Sequence, residues 1–191
     1  MHTTIKKDLP NFPDEVIVDW LEPFAISNGW PPADPRWRGI LGRSVDEWKN
    51  TSWQKVEVDL NTLQYAQETH DAINGLRDAY ILHKKNAFSE SLGKSGEQRY
   101  LQAFSYTIEH GIFPKPVVIL QQDCFYHLVD GNHRFLALKY ALQLQTELLE
   151  ISKIERDKFE VELQKKWKIS RISPVTARQT IWLAKDPDSL A

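Results

Sequence analysis

The stretch from Pro116 to Leu142 constrains this chain more than any other, because the period of its hydrophobic pattern changes inside it. Residues 116–120 form a short apolar run rich in β-branched side chains, residues 121–124 are polar, and residues 125–129 form a second run of bulky side chains. Two such runs joined by a few polar residues read as a β-hairpin. Asp130-Gly131 comes at once after it, and beyond it Phe135, Leu138, Ala141 and Leu142 fall at helical spacing. Strand, turn, strand, tight turn and helix succeed one another without a linker. The expected class is α+β: a small mixed sheet with a hairpin and flanking helices.

The rest of the chain reads around that unit. Residues 55–60 alternate through Val56, Val58 and Leu60, as a half-buried strand would. Residues 62 to about 85 read as a helix with Ala66, Ile73, Leu76, Tyr80 and Leu82 on one face. Residues 86–96 are polar, contain Gly93 and Gly96, and are expected to be a mobile loop. Residues 97–110 form a further helical stripe, with Gly111 as its stop and Pro114 against continuation. The N-terminal segment holds Trp20, Trp30, Trp37, Trp48 and Trp53 with Pro13, Pro23, Pro31, Pro32 and Pro35. Proline this dense blocks long helices by removing N–H donors. Residues 14–25 are expected as a short helix or an extended piece, residues 29–32 as an irregular loop. A helix at 45–49 is expected to be capped by Ser44 with Glu47 three residues on. The tryptophans are either packing anchors or a stacking platform for a base or partner. Near the C-terminus, residues 146–167 are close to helical in spacing, Ser173-Pro174 breaks the pattern, and residues 176–184 suit a helix or a last strand. The expected division is an N-terminal extension packed on the core (1–54), a core (55–145) and a C-terminal helical extension (146–191).

Composition excludes several classes. A chain of 191 residues is one domain with room for an appendage, and 41% hydrophobic and 26% charged residues exclude a disordered or fibrous chain. Cys124 is the single cysteine, so an internal disulfide and a cysteine-based zinc site are excluded. No apolar run reaches membrane-span length and residues 1–12 lack the apolar core of a signal peptide, which points to a soluble cytoplasmic protein without a membrane partner. The net charge of −2 provides no global basic field. Residues 153–178 nevertheless hold eight bases against four acids. They are either a basic face for phosphates or a solvated helix face of alternating sign.

Chemistry concentrates in Asp130-Gly131-Asn132-His133-Arg134, at the strand-to-helix junction. The first turn of a helix has N–H groups without partners, and the macrodipole adds about half a positive charge there. Gly131 lets an anion approach the backbone, and Arg134 can grip a phosphate with two parallel bonds. Asp130 can cap the helix, orient His133, or hold a metal that phosphates also bind. The composite reads as an anion pocket, with nucleotide phosphates as its foremost ligand. The plainer reading is a capped helix after a glycine turn, although two cationic residue types in a first helical turn oppose the dipole. Phosphate-loop, dinucleotide and hydrolase-elbow motifs are absent, and His70 and His83 lack metal-ligand spacing.

The sequence also resembles a family. Residues 106–120, Tyr-Thr-Ile-Glu-His-Gly-Ile-Phe-Pro-Lys-Pro-Val-Val-Ile-Leu, and 126–139, Tyr-His-Leu-Val-Asp-Gly-Asn-His-Arg-Phe-Leu-Ala-Leu-Lys, resemble the core of the ParB/sulfiredoxin superfamily. Its members place a helix ending in glycine before a Pro-initiated strand, then a hairpin strand, a G-x-x-R or D-G-x-H-R turn and a helix. The resemblance implies a nucleoside di- or triphosphate as cofactor, held by Gly131, His133 and Arg134, and the reading of the helix start adds Asn132 to them. Mg²⁺ on Asp130 would accompany phosphoryl transfer or nucleotide hydrolysis. The sulfiredoxin cysteine is replaced by Asn132, and an amide cannot act as that thiolate, so sulfiredoxin chemistry is not expected. Residues 145–191 lack a helix-turn-helix pattern, so chromosome partitioning is not expected either. Catalytic carboxylates of other relatives lie outside the motif; Asp130 and Glu109 are the candidates here, with His133 as donor to a phosphate oxygen. The alternative function is a DNA-associated or protein-partner module without catalysis, with Lys165 to Arg171 as the phosphate-backbone contact.

Overall fold

The computed structural model describes residues 1–32, 41–84 and 87–187, and the side chains of all of these except 87–94. Pro35 and Trp37 lie outside the described residues. The chain begins with α1 (His2–Asp8), α2 (Asp14–Val16), a π-helical stretch (Ile17–Leu21) and α3 (Glu22–Asn28). Residues 14–28 thus form one helical course. The π turn explains how Pro23 fits within it: the Glu22 N–H reaches back five residues to the Ile17 carbonyl. That widening relieves the clash that a proline ring makes with the carbonyl four residues before it. Helix α4 (Val45–Trp48) carries the expected capping box, Ser44 and Glu47 bonding reciprocally.

Strand β1 (Ser52–Asp59) starts three residues before the alternating pattern, and α5 (Gln67–Tyr80) starts later than its hydrophobic stripe. The delay has a cause: residues 60–62 make a 3₁₀ turn, and Tyr65 bridges to Tyr126 instead of entering the helix. Helix α6 (Ala87–His110) corrects the loop expected at 86–96, of which Asn86 lies outside the described residues. Gly93 and Gly96 cost a helix about 1 kcal/mol each. That is too little to stop one anchored downstream by buried Tyr100, Phe104 and Ile108. Gly111 ends it with φ +77°, and a side chain there would strike the Pro174 carbonyl.

The hairpin is as expected: β2 (Val117–Gln122) and β3 (Phe125–Asp130) join through Asp123-Cys124, with Asp123 left-handed at φ +52°. Helix α7 (Asn132–Glu150) comes next, then α8 (Lys153–Trp167), so the C-terminal pattern is two helices. They part at Ile151-Ser152, where Ser152 and Glu155 form a second capping box. Helix α8 stops at left-handed Lys168, before Ser173-Pro174 is reached.

Residues 178–185 are a strand, β4 (Arg178–Lys185), and it lies inside the sheet. The order is β1-β4-β2-β3, with β4 antiparallel to β1 and parallel to β2, and β2 antiparallel to β3. The core therefore uses a strand from the segment expected to be a helical extension. The molecule is α+β, a four-stranded mixed sheet flanked by helices. No described helix is long and apolar enough to cross a membrane.

Alternate side chains of β2 face opposite ways, as the strand period demands. Val117 and Ile119 join Ile73, Phe104, Phe135 and Leu138 in one core. Val118 and Leu120 join Phe12, Trp20, Leu21 and Trp48 in the other. The tryptophans of the second core are packing anchors. Trp20 and Trp48 are fully buried, and their rings meet edge-on with centroids 5.6 Å apart. Trp20 and Trp48 therefore cannot form a stacking platform, while Trp30 and Trp53 are partly buried at the edge of the same core.

Gln179 ties the glycine stop of α6 to β4. Its Oε1 accepts from the Phe113 N–H at 2.9 Å, and its Nε2 donates to the carbonyls of Thr176 at 2.6 Å and Gly111 at 3.3 Å. Removing it leaves buried backbone groups unpaired. Gln179→Leu is expected to lower stability by about 2–3 kcal/mol, read as a lower urea midpoint at unchanged slope. An unchanged midpoint would show that these bonds are dispensable.

Candidate functional site

The motif occupies the turn between β3 and α7. Asp130 ends β3 opposite Val118, and Gly131 is left-handed at φ +98°. A Cβ at Gly131 would lie 2.5 Å from the Val117 side chain and 3.0 Å from Nη2 of Arg134. The space over this glycine is therefore filled from within the protein. Glycine is required by the turn and by packing, which corrects the expectation that it is there for a ligand's approach. Helix α7 then starts without a side-chain cap and with no acid in its first turn. Its first N–H groups have no intrahelical partner, and the Phe135 N–H is the one that closes the turn onto the Gly131 carbonyl.

Arg134 turns back across this junction. Its Nη2 donates to Asp130 in a short ion pair, and its Nη1 donates to the carbonyls of Pro116 at 3.1 Å and Lys115 at 3.3 Å. The guanidinium thus pins the entrance of β2 to the exit of β3. Burial pushes the Asp130 carboxyl above the usual carboxylate range, against the pull of Arg134 and the Gly131 N–H. The Asp130 carboxylate is engaged by the Arg134 guanidinium and the Gly131 N–H, so a metal ion expected there would have to compete with Arg134. Among the described residues no group of three or more His, Cys, Asp or Glu could hold a metal ion.

His133 points elsewhere. Its ring stacks on Tyr80 at the end of α5, centroids 5.7 Å apart and 24° from parallel. The Tyr80 hydroxyl lies 3.4 Å from Nε2. Tyr80 stacks in turn on Tyr100 of α6. Burial, with help from the charges of Arg99 and Arg134, pushes the imidazole from its ordinary 6.5 down to about 4. His133 is therefore neutral at pH 7, a hydrogen-bonding group without charge. His133 and Arg134 do not converge on one point as expected: the two side chains have different partners on different sides of the turn.

Asn132 has a buried Oδ1 without a hydrogen-bond partner. Turning the amide over would present its NH₂ in the same place, the polarity an anion needs. Glu109 does not join the site. Its carboxylate accepts from the Ser170 N–H and hydroxyl, which holds it below the usual range. It sits ten residues along α6 from Arg99, about 15 Å at helical rise. Arg99 is the residue that sequence reasoning misses. Its charge acts on both His133 and Tyr80. The signal that could find it is its place beside Tyr100, one step off the buried stripe of α6. Cys124, at the hairpin tip, is exposed and apart from the motif.

No family model, no curated protein and no solved structure matches this chain.

The depressed imidazole makes stability pH-dependent in a defined window. Between about 6.5 and about 4 the unfolded chain binds the His133 proton and the folded chain does not. Its contribution is complete above pH 6.5 and is lost as pH falls toward 4, roughly 3 kcal/mol in all. His133→Gln is expected to flatten this part of the profile, checked by urea midpoints across the window. Equal slopes in both proteins would show that His133 is not the titrating group.

Proposed function

We propose that the protein binds the phosphates of a nucleotide at the N-terminus of α7. The observation that carries this reading is a helix start with no side-chain cap and no acid in its first turn, beside the Asp130–Arg134 pair and a neutral imidazole. The main-chain N–H groups of Asn132 and His133 are the donors, the helix dipole supplies attraction, and Arg99 adds charge from α6. Arg134 has a positioning role: its grip on Asp130 and on the carbonyls before β2 shapes the turn. The resemblance to the ParB/sulfiredoxin core supports the same ligand class. Magnesium enters only as the counter-ion that the phosphates carry. The carboxylates considered for catalysis are engaged, Asp130 by Arg134 and Glu109 by Ser170, so the reading is one of binding rather than turnover.

The nucleic-acid alternative is weaker. Lys166, Trp167 and Lys168 border an open depression, but Glu109 shares it and acids alternate with bases along α8. Thermal-shift measurements with nucleoside di- and triphosphates and magnesium test the proposal. A nucleotide at a hundred times its Kd is expected to add about 2.7 kcal/mol, and Arg99→Ala is expected to lose most of that gain while folding normally. No shift with any nucleotide would overturn the proposal. A shift unchanged in Arg99→Ala would place the phosphates elsewhere.

A further inference from the structure

Strand β1 forms one edge of the sheet, at the opposite side from β3 and the motif, so what pairs with it is independent of the nucleotide proposal. Its register with β4 continues past the strand end, where the Leu60 N–H donates to the Ala177 carbonyl at 3.0 Å. In an antiparallel ladder every second residue turns both main-chain groups to its partner. Gln54, Val56, Val58 and Leu60 therefore face β4, while Trp53, Lys55, Glu57 and Asp59 turn theirs outward. The Asp59 carbonyl accepts from the Thr62 hydroxyl at 2.8 Å on that outer side. Among the described residues nothing bonds the outward main-chain groups of Trp53, Lys55 and Glu57. The other edge is covered: Tyr65 bridges to Tyr126, and the Leu128 N–H donates to the Thr69 hydroxyl.

An open edge is a template for another strand, and proteins guard such edges with charge. The charges on β1 guard it selectively. Lys55 and Glu57, both exposed, stand on either side of Val56. Two antiparallel copies related by a two-fold axis through Val56 set Lys55 of each opposite Glu57 of the other, and opposite charges directly across a pair are favourable. The outward main-chain groups of both residues then meet in bonding register. An axis through Lys55 or through Glu57 would set like charges face to face. The ion pairs within each chain extend the pattern. Lys55 Nζ lies 2.7 Å from Glu15, and Arg178 lies 3.8 Å from Glu57. The joined edge thus carries Glu15, Lys55, Glu57 and Arg178 in a row of alternating sign. On the opposite face, half-buried Val56 meets its own copy.

We infer that β1 is a dimerisation edge, at which two copies of this chain pair antiparallel about Val56 and join their sheets into one. Sedimentation of the full chain is expected to show a dimer at high micromolar concentration. Lys55→Glu and Glu57→Lys each set like charges opposite one another twice, and each is expected to weaken the dimer about tenfold. Mixing the two variants is expected to restore dimers, since the acidic edge of one then faces the basic edge of the other. Register is read by oxidation in a Cys124→Ser background. Val56→Cys is expected to cross-link two chains, its position being a non-hydrogen-bonded pair with Cα atoms about 4.5 Å apart. Gln54→Cys, roughly 13 Å from its own copy along the strands, is expected not to. A monomer at every concentration would overturn the inference and leave the edge to an extended peptide of another protein. So would a dimer that neither charge variant weakens, variants that fail to recombine, or a cross-link as efficient from Gln54→Cys as from Val56→Cys.

Discussion

Strand β2 is apolar on both faces, and the rest of the molecule is arranged to cover it. Val117, Val118, Ile119 and Leu120 are all buried, two toward each side. Full burial of each such side chain is worth about 1.5–3 kcal/mol, against a typical domain stability of roughly 5–15 kcal/mol. Exposing either face would remove a large part of that margin. This strand therefore needs sheet neighbours on both edges, β4 and β3, and a layer on each face. Helices α5 to α7 supply one layer. The N-terminal helices, with their tryptophans, supply the other. The N-terminal segment is in this sense part of what lets β2 exist.

The same strand fixes the motif. Its entrance exposes the carbonyls of Lys115 and Pro116, and Arg134 binds both while pairing with Asp130. Val117 fills the space over Gly131. The turn is therefore held from below by β2 and from behind by the arginine. A loop fixed in this way keeps its amides in one orientation, which is what a preorganised donor set requires. The consequence is that Arg134 has its terminal nitrogens committed. Attraction at the mouth of the helix must then come from the backbone and from Arg99. Arg134 is a residue of geometry first, although its type and position suggest a phosphate clamp.

How much of this is legible in the residues depends on how local each signal is. The hairpin, the glycine turn and the start of α7 are adjacent in sequence, and their patterns are strong. The Ser44–Glu47 box is a contact three residues long. Strand β4 is ambiguous in sequence because its partners lie in β1 and β2, far upstream, and no local feature records a parallel pairing at that distance. The onset of α6 is hidden because Gly93 and Gly96 disfavour a helix locally while the packing of its later turns favours one. In the site, the residue types are legible and their directions are not. The acceptors that draw Arg134 away are main-chain carbonyls 18 and 19 positions earlier, invisible as side-chain chemistry. Arg99 gains its relevance only when α6 packs beside α7.

The neutral state of His133 bears on how an anion would be held. The imidazole sits where burial, a helix N-terminus and two guanidinium groups all oppose a proton. A phosphate arriving there would reverse the last of these influences, since its negative charge favours the imidazolium. Binding and protonation would then be linked, and linkage is reciprocal: whatever raises the proton affinity of His133 is strengthened by protonating it. Stability and affinity would respond to pH in opposite senses, the empty protein weakening as His133 is forced to charge and the loaded one gaining a contact. The stacked Tyr80 sets how far this can go, because a charged imidazole on a tyrosine face retains a favourable cation–π partner even when desolvated. A histidine at this position can thus serve a closed, uncharged packing arrangement and, with an anion in place, a charged one, without moving its ring.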